Sequence, residues 1–157
     1  MPLLEAVQVT MSGEKSNDAG DRDDRALIER AREIQSQAHV PYSEYAVGAA
    51  IETVDGEVFV GCNLENANFS NSLHAEEVAI AEAVKNGHGE FTRLAVSSDR
   101  RDGVTPCGMC RQTLAEFCDD DLRVICDEGE GEGEGVEPTE YALGELLPNT
   151  ISEETLE

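Results

Sequence analysis

The chain has 157 residues, enough for one domain with one core, and 39% hydrophobic content without a single Trp makes that core mainly aliphatic. Against 34 Asp and Glu stand 11 Lys and Arg, a formal net charge of −23 that repels nucleic-acid phosphates and anionic membranes. No stretch stays apolar for the roughly 18 residues of a membrane helix, and the opening MPLLEAVQVT lacks a basic region, so neither a span nor a secretory signal is expected.

Residues 1–22 are polar and read as a mobile tail. From Asp23, the stretch DDRALIERAREIQSQA sets Leu27, Ile28, Ala31, Ile34 and Ala38 on one helical stripe, which Pro41 closes. YAVGAAIETV and EVFVGCNL flank Asp55-Gly56, a strong hairpin signal. The loop ENANFSNS leads into a helix, SLHAEEVAIAEAV. RLAVSS (93–98) reads as a third strand, PCGMCRQTLAEFC as a helix begun after Pro106, and LRVICD as a fourth strand. EGEGEGEGVEP is low in complexity and predicts a flexible acidic loop over 128–137. YALGELL gives a short last helix, with room for an edge strand before it, and 151–157 form a tail. This order predicts an α/β fold: a three-layer α/β/α sandwich with one mixed sheet of four to five strands, in a single domain over 23–150.

Five cysteines are an odd number, and two of them form a CxxC, which without a secretory signal reads as metal or redox chemistry. Cys107 and Cys110 begin a helix, whose N-terminus favours thiolates. His74 begins another helix, and two such helices after strands of one sheet can meet at one edge. One imidazole and two thiolates leave a fourth position for water, the arrangement of a catalytic zinc. Glu76 falls on the apolar face with Ala79, Ile80 and Ala83, where a carboxylate needs a partner or a proton. Beside zinc-activated water it gains both and can shuttle protons. Each residue alone has a plainer reading: a His that caps or packs, a Glu that serves the helix dipole, a CxxC that is redox-active. Their combination favours the metal site. Cys62, Cys118 and Cys126 read as small apolar residues.

His74-Ala75-Glu76 with Pro106-Cys107-Gly108-Met109-Cys110 resembles the H-x-E…P-C-x-x-C signature of the zinc nucleobase and nucleoside deaminases. PYSEYAVGAAI, GCNLENANF, HAEEVAIAEAV, PCGMCRQTLAEF and ELLP extend the resemblance, in order, to the small cytidine deaminases. The resemblance implies hydrolytic deamination of cytidine and deoxycytidine, as in pyrimidine salvage. It implies one zinc per subunit on His74, Cys107 and Cys110, with Glu76 as proton shuttle. It also implies ribose contacts from Asn63 and Glu65, a pyrimidine contact from the Ala75 backbone, and Tyr45 as a wall where the family usually carries Phe. A soluble cytoplasmic homotetramer, or failing that a dimer, is implied, with a nucleoside and no nucleic acid or membrane as partner. The acidic charge adds the expectation of a halophilic cytoplasm, where the Debye length falls to about 3 Å at 1 M salt.

Small relatives usually read Cys-Ala-Glu-Arg where this chain reads His74-Ala75-Glu76-Glu77. One neutral imidazole and two thiolates sum to zero with Zn²⁺, so no compensating Arg is needed. Ile151 stands where relatives carry a Phe that reaches a neighbouring subunit. The competing readings are a deaminase of a related aminonucleoside, of a nucleotide or of a polynucleotide, and a non-enzymatic structural zinc protein.

Overall fold

The computed structural model describes residues 14–100, 102–129 and 136–157, with side chains from residue 23 onward. Most of the expected N-terminal tail and residues 130–135 of the acidic loop lie outside this description. The elements are α1 (Glu14–Gln35), β1 (Val47–Thr53), β2 (Val58–Cys62), α2 (Ala75–Lys85), β3 (Phe91–Ser98), α3 (Gly108–Phe117), β4 (Arg123–Cys126), β5 (Thr139–Ala142) and α4 (Leu143–Leu146). Short 3₁₀ turns occupy Phe69–Asn71 and Glu153–Leu156.

α1 starts before Asp23, since no Pro or β-branched residue between 14 and 22 stops it. It ends before Ala38, because Gln37 N bonds Ile34 O and Ala38 N bonds Gln35 O in a tightened last turn. His39 then joins Leu64 in a β-bridge, with its amide on Asn63 O at 3.0 Å.

The strands form one mixed sheet in the order β2-β1-β3-β4-β5. β1 runs antiparallel to β2 and to β3, β3 parallel to β4, and β4 antiparallel to β5. The Asp55-Gly56 hairpin forms, with Gly56 at φ +85. The edge strand is real: β5 pairs Tyr141 with Val124.

Side-chain alternation sorts the core into two layers. Ala50, Ala95 and Ile125 meet Leu27, Ile28 and Ala31 of α1 on one face. Ala49, Ile51, Leu94, Val96 and Val124 meet Ala75, Ala79 and Ile80 of α2 and Leu114 of α3 on the other. Two glycines allow the helices to sit close. A Cβ on Gly48 would lie 1.9 Å from Ala31 O, and one on Gly61 would lie 2.4 Å from both Ala75 O and Ala79 N. Gly61 therefore seats the start of α2 directly on β2.

Candidate active site

β2, β3 and β4 all point the same way, because β2 and β3 each oppose β1 and β4 follows β3. α2 follows β2 and α3 follows β3, so both helices begin at the same edge of the sheet. Ligand sites of open α/β sheets form at this carboxyl edge.

His74 and Cys107 are the N-cap residues of the two helices, both with extended backbone. His74 Nδ1 lies 3.2 Å from Cys107 Sγ and 3.3 Å from Cys110 Sγ. The three donor atoms all fall within 4.8 Å of one another. Zinc bonds of about 2.0–2.3 Å in a tetrahedron place an N and an S ligand about 3.6 Å apart, so the cluster is close to that size. An imidazole with two thiols also suits zinc chemically. These residues could hold a metal ion, and the donor set fits zinc.

Glu76 is 5% exposed and Cys110 is fully buried. Their side chains meet, with Cys110 Sγ 3.4 Å from Glu76 Oε2. Burial pushes the Glu76 carboxyl above its ordinary value. Burial also pushes the Cys110 thiol up, and Glu76 beside it adds to this. A divalent cation among these groups supplies the missing counter-charge.

Glu77 has a task that its sequence position concealed. Its carboxylate accepts the His74 backbone N–H at 2.9 Å, holding the residue at the mouth of α2.

The cluster opens into a cleft of about 420 Å³. Tyr45, Asn63 and Ala75 line it beside His74, Glu76 and Cys107. Asn63 is also braced: its Nδ2 donates to Tyr45 O at 2.8 Å and its Oδ1 accepts from Val47 N at 2.9 Å. Glu65 is not among the lining residues. It accepts from the Tyr42 amide at 3.1 Å and from the amide and hydroxyl of Ser43, which does line the cleft. The Ser43 hydroxyl and these amides hold the Glu65 carboxyl below its ordinary value. Thr105 and Arg111 also line the cleft, unnoticed in the sequence. Arg111 carried a signal, since it lies four residues after Cys107 and so faces back along α3. Ile151 is exposed, and its carbonyl accepts from Gln112 Nε2 at 3.1 Å. Cys126 is buried and Cys62 and Cys118 half-buried, all three free and outside the cluster.

Residues 21–126 match the family model described as the cytidine and deoxycytidylate deaminase zinc-binding region. The chain is 40% identical over 130 residues to a cytidine deaminase of Sporosarcina psychrophila, covering 83% of this chain and 92% of the relative. It is 36% identical over 134 residues to a cytidine deaminase of Halalkalibacterium halodurans, covering 85% and 98%. The crystal structure of cytidine deaminase from Burkholderia pseudomallei matches with a TM-score of 0.74 and 37% identity, over 81% of this chain and 98% of that one.

Proposed function

This chain belongs to the cytidine and deoxycytidylate deaminase family, and we propose that it hydrolyses cytidine and deoxycytidine to uridine and deoxyuridine with release of ammonia. It is a zinc-dependent pyrimidine deaminase. The observation that carries the assignment of roles is the convergence of His74, Cys107 and Cys110 beside the buried Glu76, at the floor of an open cleft.

His74, Cys107 and Cys110 hold the metal. When bound, zinc supplies Lewis acidity that activates water for attack on the ring carbon bearing the amine. Glu76 takes the two protons of water in turn, passing the first to the ring nitrogen and the second to the leaving amine, so that the ring keeps its N–H and ammonia departs. Burial supports this role, because it raises the proton affinity of the carboxyl and so favours its taking up a proton from water. Ala75 offers its backbone to the pyrimidine and Tyr45 a wall to the ring. We assign the ribose contacts to Asn63, which lines the cleft, and to Glu65, whose carboxylate holds the cleft-lining Ser43.

The finer assignments form part of the same proposal. The enzyme serves pyrimidine salvage in a cytoplasm of high salt, as a homotetramer. Five free cysteines suit a reducing compartment. Among the described residues no helix is long and apolar enough to cross a membrane.

The test is loss of cytidine absorbance at high salt, with and without a zinc chelator, for the natural chain and Glu76→Gln. Activity is expected to need zinc and to fall about 10²–10⁴-fold in Glu76→Gln, with zinc retained. No activity on any pyrimidine nucleoside would overturn the substrate assignment. A zinc protein unaffected by Glu76→Gln in stability and lacking activity would instead be structural.

A further inference from the structure

Among the described residues of this acidic chain several arginines meet carboxylates: Arg25 pairs with Glu137, Arg32 with Asp127, and Arg93 and Arg123 share Asp24. Arg111 does not. Among the described residues its guanidinium meets only neutral oxygens. Nε donates to Pro106 O at 2.7 Å, Nη1 to Leu146 O at 2.8 Å and Nη2 to Thr105 Oγ1 at 3.3 Å. With 34 acids in the chain, a half-buried cation set among carbonyls is placed for its geometry and not for an ion pair.

The geometry centres on Cys107. Pro106 and Thr105 immediately precede it, and the Arg111 amide bonds the Cys107 carbonyl at 3.0 Å. Side chain and backbone of one residue thus hold three successive residues of the segment that carries a donor thiol. Pro106 lacks an N–H and Thr105 lies in an irregular connection, so no strand or helix fixes these two residues. The third bond runs to the last residue of α4, which is itself anchored through Leu143 N on Leu122 O at 2.9 Å. A planar fork with several fixed donors suits this task, and a lysine does not.

We propose that Arg111 is a positioning residue that locks the Thr105-Pro106 segment against α4 and so sets the place of the Cys107 thiol in the metal site. The inference rests on the reading that His74, Cys107 and Cys110 hold zinc. Loss of such outer support costs about 10–100-fold in metal affinity in comparable sites.

The experiment measures zinc affinity by chelator competition on folded, purified protein. The natural chain is compared with Arg111→Gln, Arg111→Lys and, as a control on the same helix, Gln112→Leu. Circular dichroism and melting temperature are recorded for each. Arg111→Gln is expected to hold zinc about ten-fold more weakly or worse, Arg111→Lys to recover little of that, and Gln112→Leu to match the natural chain. If Arg111→Gln fails to fold, Arg111→Lys decides. A folded Arg111 variant that melts earlier yet binds zinc as tightly as the natural chain would overturn the inference alone, leaving a merely structural clamp. A natural chain that binds no zinc would overturn the metal assignment, and this inference with it.

Discussion

His74 works at both ends: its ring nitrogen faces two thiols, while its amide is held by Glu77 at 2.9 Å. The H-x-E and C-x-x-C pattern made the ring's partners legible. The tie to Glu77 was not, because a capping box is normally sought behind Ser or Thr and not behind a histidine. Glu77→Ala is expected to cost about 1 kcal/mol, or about 2–4 °C in a chain of this size, measured by thermal melting. His74 also sets the charge of the donor cluster, one neutral imidazole beside two thiols. His74→Cys adds one negative charge to the site, and at about 1.4 kcal/mol per pKa step a ten-fold lower kcat is expected with zinc kept. Adding Glu77→Arg to that variant restores part of the rate, whereas Glu77→Arg alone only removes the cap. Rates that multiply independently across this double-mutant cycle would refute the charge argument.

Helix seating is decided by two glycines whose importance no periodicity reveals. A Cβ on Gly61 meets backbone at 2.4 Å and cannot be relieved by a side-chain turn, so α2 must lift from β2. His74 caps α2 and Glu76 lies in its first turn. Gly61→Ala is therefore expected to lose about 1–3 kcal/mol and also zinc affinity and kcat. Gly48→Ala pushes α1 from the opposite face, where no site residue sits, and should lower the melting temperature while leaving the kcat of folded protein near normal. Equal losses of kcat in both variants would count against this division between the faces. At this scale the strands, the Asp55-Gly56 hairpin and both helices of the site were legible, because alternation and turn chemistry are local signals. The β1–β3 pairing, the parallel β3–β4 pairing and the order β2-β1-β3-β4-β5 were not, since crossovers are settled by which faces bury together. The early start of α1 escaped for a related reason: its residues before Asp23 show no apolar stripe to mark them.

Across the whole molecule, two kinds of charge behave differently. Arg93 is 4% exposed and its guanidinium bonds Asp24 and Glu52, while Arg123 joins Asp24 to Glu140. This network ties α1 to four strands, and its Arg93–Asp24 centre is buried away from salt. Arg93→Met leaves Asp24 buried with only Arg123, and is expected to cost about 3–5 kcal/mol at any ionic strength. The formal net charge of −23 repels itself. Between 0.1 M and 1 M salt the Debye length falls from about 10 Å to about 3 Å, so like charges on neighbouring helices stop sensing each other. We propose that the fold is completed by that screening. Melting temperature and deaminase rate should both rise with KCl up to molar concentrations, by a similar increment in the natural chain and in Arg93→Met, offset by the lost network. Sucrose strengthens apolar burial without screening charge, so at concentrations matched in osmotic strength it should reproduce only part of the rise. A melting temperature that stays flat in KCl would mean that the −23 charge is merely tolerated. A rise matched fully by sucrose would assign the effect to hydration and not to charge.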